Sequence, residues 1–414
     1  MFHAFDIVMI PLQAILFFCS LYYCTIGFFG MFRFKEKKIL TPQKTFAVIV
    51  AAHNEEAVIG QLIQNLKELE YPKELYDIFV IADNCIDKTA EVARNAGAIV
   101  CERFNDKDKG KGFALEWMFK KLFQMERDYD AVAVFDADNL VHPRFLLEMN
   151  NRLCKGDKII QGYLDSKNPY DTWISGTFSI AFWVIDHVWH LAKTNIGLSS
   201  VLGGTGMVIT TDVIRRHGWR ATCLTEDMEY TMMSLVEGIK TTWAHDAIVY
   251  DEKPLTFMQS WNQRKRWAQG QFDVAHRFIP KMFVEGIKQR DIRILDGCLH
   301  LLQPHFLMIS TVFLVISYIQ AFVPAFYTSI YTLMPQQIIT FVAFGQYILP
   351  VIILLRIKVR WKAWFYLLLY PIFMYSWIPI VFLGFIHRDE HEWNHTKHTR
   401  SMTYEELMAK KNTW

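Results

Sequence analysis

Asp136-Ala137-Asp138 directly follows the apolar run Ala131–Phe135. Two carboxylates two residues apart at the end of a buried strand suit one hard divalent cation, Mg2+ or Mn2+, whose open positions are filled by phosphate oxygens. Two more polar clusters follow apolar runs: Ala52-His53-Asn54-Glu55-Glu56 after Phe46–Ala51, and Asp83-Asn84 after Ile78–Ala82. Asp87 is the better cap for a helix starting near Thr89, which leaves Asp83 free. Lys109-Gly110-Lys111-Gly112 offers flexible backbone and two cations to an anionic ligand, yet lacks the spacing of a P-loop, so a nucleotide hydrolase is not indicated. Taken singly, each acidic cluster reads equally as helix capping, and the glycine segment as a solvated turn.

Short apolar runs at 46–51, 78–82, 98–101 and 131–135 alternate with helical patterns near 55–70, 87–96 and 112–125. This alternation predicts an α/β fold: a mostly parallel sheet covered on both faces, with ligands beyond the carboxyl ends of the strands. No internal repeat or low-complexity segment interrupts it. Of 414 residues 52% are hydrophobic and 21% charged, and the mean hydropathy of +0.12 is too apolar for an ordinary soluble domain. A net charge of +2 gives no case for bulk binding to nucleic acid. Seven cysteines without a C-x-x-C pair fit a reducing compartment.

The hydrophobicity is concentrated. Ile7–Phe32 carries no Asp, Glu, Lys or Arg, and basic residues from Arg33 to Lys44 come directly after it. It reads as an uncleaved anchor (1–34) that leaves the downstream polar region in the cytoplasm. Residues 297–355 are uncharged and long enough for two spans; Arg356, Lys358, Arg360 and Lys362 then form a basic loop. A third uncharged run, Ala363–His387, contains Pro371 and Pro379 and reads either as one span or as a broken, re-entrant hairpin. The expected organisation is a polar domain over 40–290, a membrane region over 297–387 and a short tail, 388–414.

Together these pieces resemble the membrane-embedded family 2 glycosyltransferases, the group containing cellulose, chitin and hyaluronan synthases. The opening resembles V-I-I-P-A-x-N-E, with Ala51 in place of the usual proline. Asp83, Lys111 and Asp136-Ala137-Asp138 follow in the expected order, Thr225-Glu226-Asp227 matches T-E-D, and Gln263-Arg264-Lys265-Arg266-Trp267 matches Q-x-x-R-W. The resemblance spans roughly residues 45–270 and implies a GT-A domain inserted between transmembrane helices. It implies Asp227 as general base with Glu226 beside it, and a metal at Asp138 assisted by Asp136. Ala51, His53, Glu55, Asp83 and Lys111 would bind the donor. Arg264 and Arg266 would stabilise the leaving diphosphate, and Trp267, with Gln263, would receive the acceptor sugar. Leu202-Gly203-Gly204-Thr205-Gly206 fills the glycine-rich position before T-E-D, although a plain turn accounts for Gly204 and Thr205 almost as well.

The implied activity is inverting transfer from a UDP-sugar (UDP-glucose or UDP-N-acetylglucosamine) to a growing β-linked polysaccharide, by a multi-pass plasma-membrane protein. The alternative is single addition to a lipid or short glycan. A homo-oligomer or accessory subunit stays open as a partner. A transporter is disfavoured, because no uncharged run holds an intramembrane acid or base. Segments near 171–194 and 256–283 carry aromatics at helical spacing with charges interleaved, and read as helices at the bilayer interface. His387, His391, His395 and His398 invite a zinc reading, but 392–398 instead resembles the W-x-x-T-x-H tail of some synthases, which would keep the tail cytoplasmic.

Overall fold

A computed structural model describes residues 5–34, 41–221, 223–320, 322–323, 329, 335–390 and 400–412. Eight strands among them, β1 (Phe46–Ala52), β2 (Tyr76–Asp83), β3 (Ile99–Arg103), β4 (Ala131–Asp136), β5 (Leu140–Val141), β6 (Ile159–Ser166), β7 (Met207–Thr210) and β8 (Thr241–Asp251), form one sheet. The helices are α1 (Asp6–Phe29), α2 (Ile59–Lys67), α3 (Thr89–Asn95), α4 (Lys111–Leu122), α5 (Phe145–Cys154), α6 (Trp173–Ile185), α7 (Ala192–Asn195) and α8 (Thr211–His217). They continue with α9 (Glu226–Val236), α10 (Phe257–Gln289), α11 (Ile292–Leu301), α12 (Gln303–Gln320), α13 (Gln336–Ile357), α14 (Trp361–Tyr375), α15 (Trp377–Ile386) and α16 (Tyr404–Asn412).

The sheet order is β3-β2-β1-β4-β7-β6-β8-β5. The first four strands are parallel; β7 is antiparallel to both β4 and β6, and β8 runs parallel to β6. The anticipated α/β sheet is therefore present, with a mixed second half. Phe46, Val48 and Val50 face α2, α3 and α5, while Ala47 and Ile49 face α4 and α8. Burial on both faces is why these strands read as unbroken apolar runs. Ala51 pairs with both Ile81 and Asp136, so β1, β2 and β4 end at one edge and deliver their polar residues together. The first helix after β1 begins at Ile59, later than its sequence pattern suggests, because Asn54 takes a left-handed conformation (φ 55°) and residues 56–58 form a turn.

Behind this edge lies an apolar layer. Capping boxes at Thr172 and Thr256 start α6 and α10. The apolar face of α6 is largely covered: Ile174 and Phe178 are buried, and Phe178 packs edge-on against Trp267 of α10 and Phe373 of α14. Helix α1, α12 and the run Trp361–Ile386 are each long and apolar enough to cross a membrane. The last of these lies between the two alternatives of single span and hairpin. Ser376 keeps helical dihedrals (φ −65°, ψ −16°) and carries α14 into α15, so there is no hairpin turn. Pro379 cannot donate to the Tyr375 carbonyl, and the hydrogen-bond ladder breaks there. Yet both ends of the run are tied down: the Arg360 amide donates to the Tyr170 hydroxyl (3.3 Å) and Gln269 Nε2 to the His387 carbonyl (2.8 Å). Met402 and Leu407 then join Leu140 and Tyr250 in a small core, which returns the tail to the sheet. His391, His395, His398 and the 392–398 motif lie outside the described residues.

Helices α6 and α14 touch where Gly176 has no side chain, and a Cβ there would overlap the Tyr366 ring. Gly176→Val should lower stability by about 1–3 kcal/mol through overpacking, seen as a lower Tm in detergent. Combining it with Tyr366→Ala should cost less than the sum of the two, because the pair is coupled.

Candidate active site

Four carboxylates converge at the strand edge. Asp136 ends β4 and Asp138 lies in the turn after it, while Glu226 and Asp227 open α9. Lys111, the first residue of α4, reaches between them: its Nζ donates to the Asp136 carboxylate and to the Gly204 carbonyl (2.7 Å). The conformation before it requires glycine, since Gly110 has φ 112°. Burial drives the Lys111 pKa down, but Asp136, Glu226 and Asp227 outweigh it and the net shift is upward, so the ammonium persists.

The acidic pair responds in the opposite sense. Burial, then the adjacent Asp227, pushes Glu226 up to about 7 against the pull of Lys111. Burial also raises Asp227, offset by the Met228 amide (2.7 Å to Oδ1), Lys111 and Arg266. Two neighbouring carboxyls that share one site and cannot both ionise at no cost are suited to taking up a proton near neutral pH.

The turn carrying Asp138 is braced on every side. Thr205 donates to Asn139 and accepts from the Asp136 amide (3.1 Å). Lys167 Nζ donates to the Asp138 carbonyl (2.8 Å), and the Glu252 amide to its Oδ2 (3.3 Å). Gln161 holds the glycine-rich loop through the Gly203 amide and the Thr205 carbonyl, both at 2.8 Å. Thr205 therefore acts on the Asp136–Asp138 turn, and Gly204 (φ 80°) presents its carbonyl to Lys111.

The four carboxylates, Lys111 and the glycine-rich loop line one cavity of ≈ 1970 Å³. Ala51, His53, Asp83, Lys111, Asp136, Asp138, Gly204, Thr205, Glu226, Asp227, Gln263, Arg266 and Trp267 are brought to it. Asp83 is not free as expected: its carboxylate is paired with buried Arg103 (2.6 Å), and the His53 ring meets its carbonyl (2.7 Å). The cap assignment that was meant to free it holds, since Asp87 accepts from the Thr89 amide (3.0 Å). Glu55 lies behind the cavity wall, with its amide bonded to the Thr89 hydroxyl (2.8 Å).

Arg264 requires the largest correction. It is fully buried and does not line the cavity, donating to the Phe373 carbonyl (3.3 Å) and the Ser376 hydroxyl (2.8 Å), with its guanidinium over the Phe373 and Trp377 rings of the cavity wall. It clamps α10 to the break between α14 and α15.

Sequence reasoning missed Arg103, Gln161, Lys167 and Glu252. For Lys167 and Glu252 a signal existed, since each stands just past the end of a strand, the same kind of position that marks Asp83 and Asp138.

The profile described as "Glycosyltransferase like family 2" matches residues 42–270, more than half of the chain and all of this site. The chain belongs to that family. Its fold is of the GT-A type. Among its relatives, the beta-monoglucosyldiacylglycerol synthase of Nostoc sp. (strain PCC 7120) is 29% identical over 58% of this chain and 51% of its own. Hyaluronan synthase 2 of Heterocephalus glaber is 21% identical over 61% of this chain and 58% of its own. The chain spans about half the length of the curated relatives it matches. The solved mannosyltransferase PcManGT from Pyrobaculum calidifontis, in complex with GDP-Man and Mn2+, superposes with a TM-score of 0.61 at 15% identity, covering 94% of this chain and 99% of that one. At that identity the likeness shows the fold.

Two outcomes test the geometry. Lys111→Met removes a charge that lowers the pKa of both Glu226 and Asp227, so the acidic limb of the glycosyltransferase's rate–pH profile should move to higher pH; an unmoved limb would disprove the coupling. Arg264→Leu should lower stability by about 1–3 kcal/mol while leaving the donor KM unchanged, whereas Arg266→Leu should impair turnover with little change in Tm.

Proposed function

We propose that the enzyme transfers a hexose, with inversion, from a UDP-sugar (UDP-glucose or UDP-N-acetylglucosamine) to the terminal hydroxyl of a β-linked glycan, retaining the product for the next addition. Asp227 takes the acceptor proton as the acceptor oxygen bonds to the anomeric carbon; the bond from that carbon to the diphosphate oxygen breaks on the opposite face, and its electron pair leaves with UDP. Glu226 hydrogen-bonds the acceptor, and burial keeps the Asp227 pKa elevated. Arg266 and Lys111 supply positive charge toward the departing diphosphate. The donor set suits a hard cation: Asp136 and Asp138 are oxygen ligands, and among the described residues no group of three metal-binding side chains surrounds them. Such a set matches Mg2+ or Mn2+, which is commonly held by one or two carboxylates plus substrate phosphates. Bound there, the ion would neutralise charge on the diphosphate. The presence of Mn2+ in the PcManGT complex supports this reading.

The observation that carries the proposal is continuity of the cavity. It runs from Asp138 past Asp227 and Trp267 to Leu307, Phe373, Met374 and Trp377 on the apolar helices, so acceptor and membrane-facing path share one enclosure. Basic ends support a cytoplasmic catalytic half: Arg33 pairs with Asp246, and Arg356 donates to the Met31 carbonyl, gathering the ends of α1 and α13 beside the sheet. The apolar lining also favours a second reading, single addition to a lipid acceptor, the kind of product named for the Nostoc relative.

The test is UDP release by the detergent-purified protein with Mg2+ or Mn2+ across a panel of UDP-sugars, with products sized. Polymer from one or two donors supports processive synthesis, while one-sugar lipid products favour the second reading. Asp227→Asn should lower turnover about 100- to 10,000-fold, and unchanged turnover would refute its role as base.

A further inference from the structure

Two chain segments hold the Asp138 turn: 165–171, which carries Lys167, and 251–253, which carries Glu252. They are also bonded to each other. The Lys167 amide donates to the Asp251 carbonyl, the Lys253 amide to Asn168 Oδ1, and Asn168 Nδ2 to the Lys253 carbonyl, each at 2.8 Å. The chain leaving the turn enters β5, which ends the sheet and pairs with β8 through only Leu140–Tyr250 and Val141–Val249. So short an edge strand needs a cover.

The cover is α16 with the residues just before it. Met402 and Leu407 are buried on Leu140 and Tyr250. The Tyr404 ring meets the rings of His142 and Tyr250, with centroids 6.0 and 6.1 Å away. Reciprocal bonds start the helix: the Thr403 amide donates to Glu406 Oε2 (3.1 Å) and the Glu406 amide to Thr403 Oγ1 (3.2 Å).

Apolar cover alone does not account for two further contacts. Lys411 Nζ donates to the Asp165 carboxylate, and Arg400 pairs with Asp171. Asp165 and Asp171 bracket Lys167, so the tail grips both ends of the segment whose lysine holds the Asp138 carbonyl. Burial pushes the Asp165 pKa up, but Lys411 and the Trp183 and Ser166 donors outweigh it, and the net shift is downward. The carboxylate therefore stays charged and keeps its partner. Lys411 Nζ also lies 4.3 Å from the centroid of the Tyr250 ring, on the strand that leads to Glu252.

We infer that the C-terminal helix is a positioning element for the donor site. Seated on β5 and β8 and clipped to Asp165 and Asp171, it holds Lys167 and Glu252 against the Asp138 turn. It thereby sets how tightly the turn takes a divalent cation with the diphosphate, since outer partners orient the ligand carboxylate. This rests on the proposed reading of Asp138 as a cation ligand.

The experiment titrates Mn2+ into the full chain in detergent with saturating UDP, following free Mn2+ by electron paramagnetic resonance, which gives Kd and the number of sites separately. Lys411→Met and Leu407→Ala should bind Mn2+ about tenfold more weakly with the number of sites unchanged, while Lys411→Arg should stay near the native Kd. A helix that served stability alone would lower the number of folded sites and leave their Kd alone. An unchanged Kd in Lys411→Met, with or without loss of sites, would therefore overturn the inference, as would an arginine variant no better than the methionine one. Asp138→Asn separates this failure from that of the underlying reading. If the native protein takes up no Mn2+ with UDP, or uptake survives Asp138→Asn, the cation assignment falls and the role of the tail falls with it; if Asp138→Asn abolishes uptake and Lys411→Met leaves the Kd alone, only the role of the tail is lost.

Discussion

One ammonium group sits among three carboxylates, and the architecture of the site follows from that arrangement. Asp136 at the end of β4 and Glu226 and Asp227 at the start of α9 come together where their mutual repulsion would be severe without a cation. Lys111 supplies it, and it does so from the first residue of a helix whose start is fixed by a left-handed glycine. Because the same Nζ also holds the Gly204 carbonyl, the lysine links β4 of the parallel half to the loop entering β7 of the mixed half. The lysine therefore adds to the β4–β7 pairing that joins the two half-sheets while it balances the acidic charge. A diphosphate entering this edge adds negative charge, so the site favours donors that arrive with, or find, further cations.

The membrane-facing side is organised by α10. Its cavity face carries Gln263, Arg266 and Trp267, while Arg264 fastens it to the break at Ser376. At about 100° per residue, Arg264 and Arg266 point roughly 200° apart, so one side chain can serve the chemistry only if the other is turned toward the apolar helices. A buried guanidinium there is tolerable because the Phe373 carbonyl and the Ser376 hydroxyl at the junction of α14 and α15 accept from it, and because two aromatic faces cover it. One helix thus contributes both to the cavity and to the packing against α14 and α15.

This geometry also explains what the sequence could and could not convey. The central strands were legible because residues buried on both faces leave an uninterrupted apolar run, and their carboxyl ends were legible as the acidic clusters just beyond. Spacing alone could not separate Arg264 from Arg266, since a motif records positions and not the neighbours that compete for each side chain. Asp83 looked unengaged because Arg103 lies on the next strand, and only the β2–β3 register places it opposite. Gln161, Lys167 and Glu252 come from the mixed half of the sheet, whose strand order no local pattern announces. The bent run after Lys362 was open between two topologies, because its ends are fixed by Tyr170 and Gln269, far away in sequence.

The segment Asp186–Leu191 shows how a local irregularity extends the site. It is π-helical, between α6 and α7, and each extra residue in such a turn rotates the following side chains relative to an α-helix. Before it, Ile174 and Phe178 are buried; within it, Trp189 lines the cavity; after it, Lys193 reaches Asp296. Helix α1 approaches closely on the other side, where Gly30 leaves no room for a Cβ against the His187 carbonyl and Gly27 packs on Val188. The element lines the cavity both before the bulge, through Phe178 and Phe182, and within it, through Trp189, while Gly27 and Gly30 let the N-terminal helix pack closely against it.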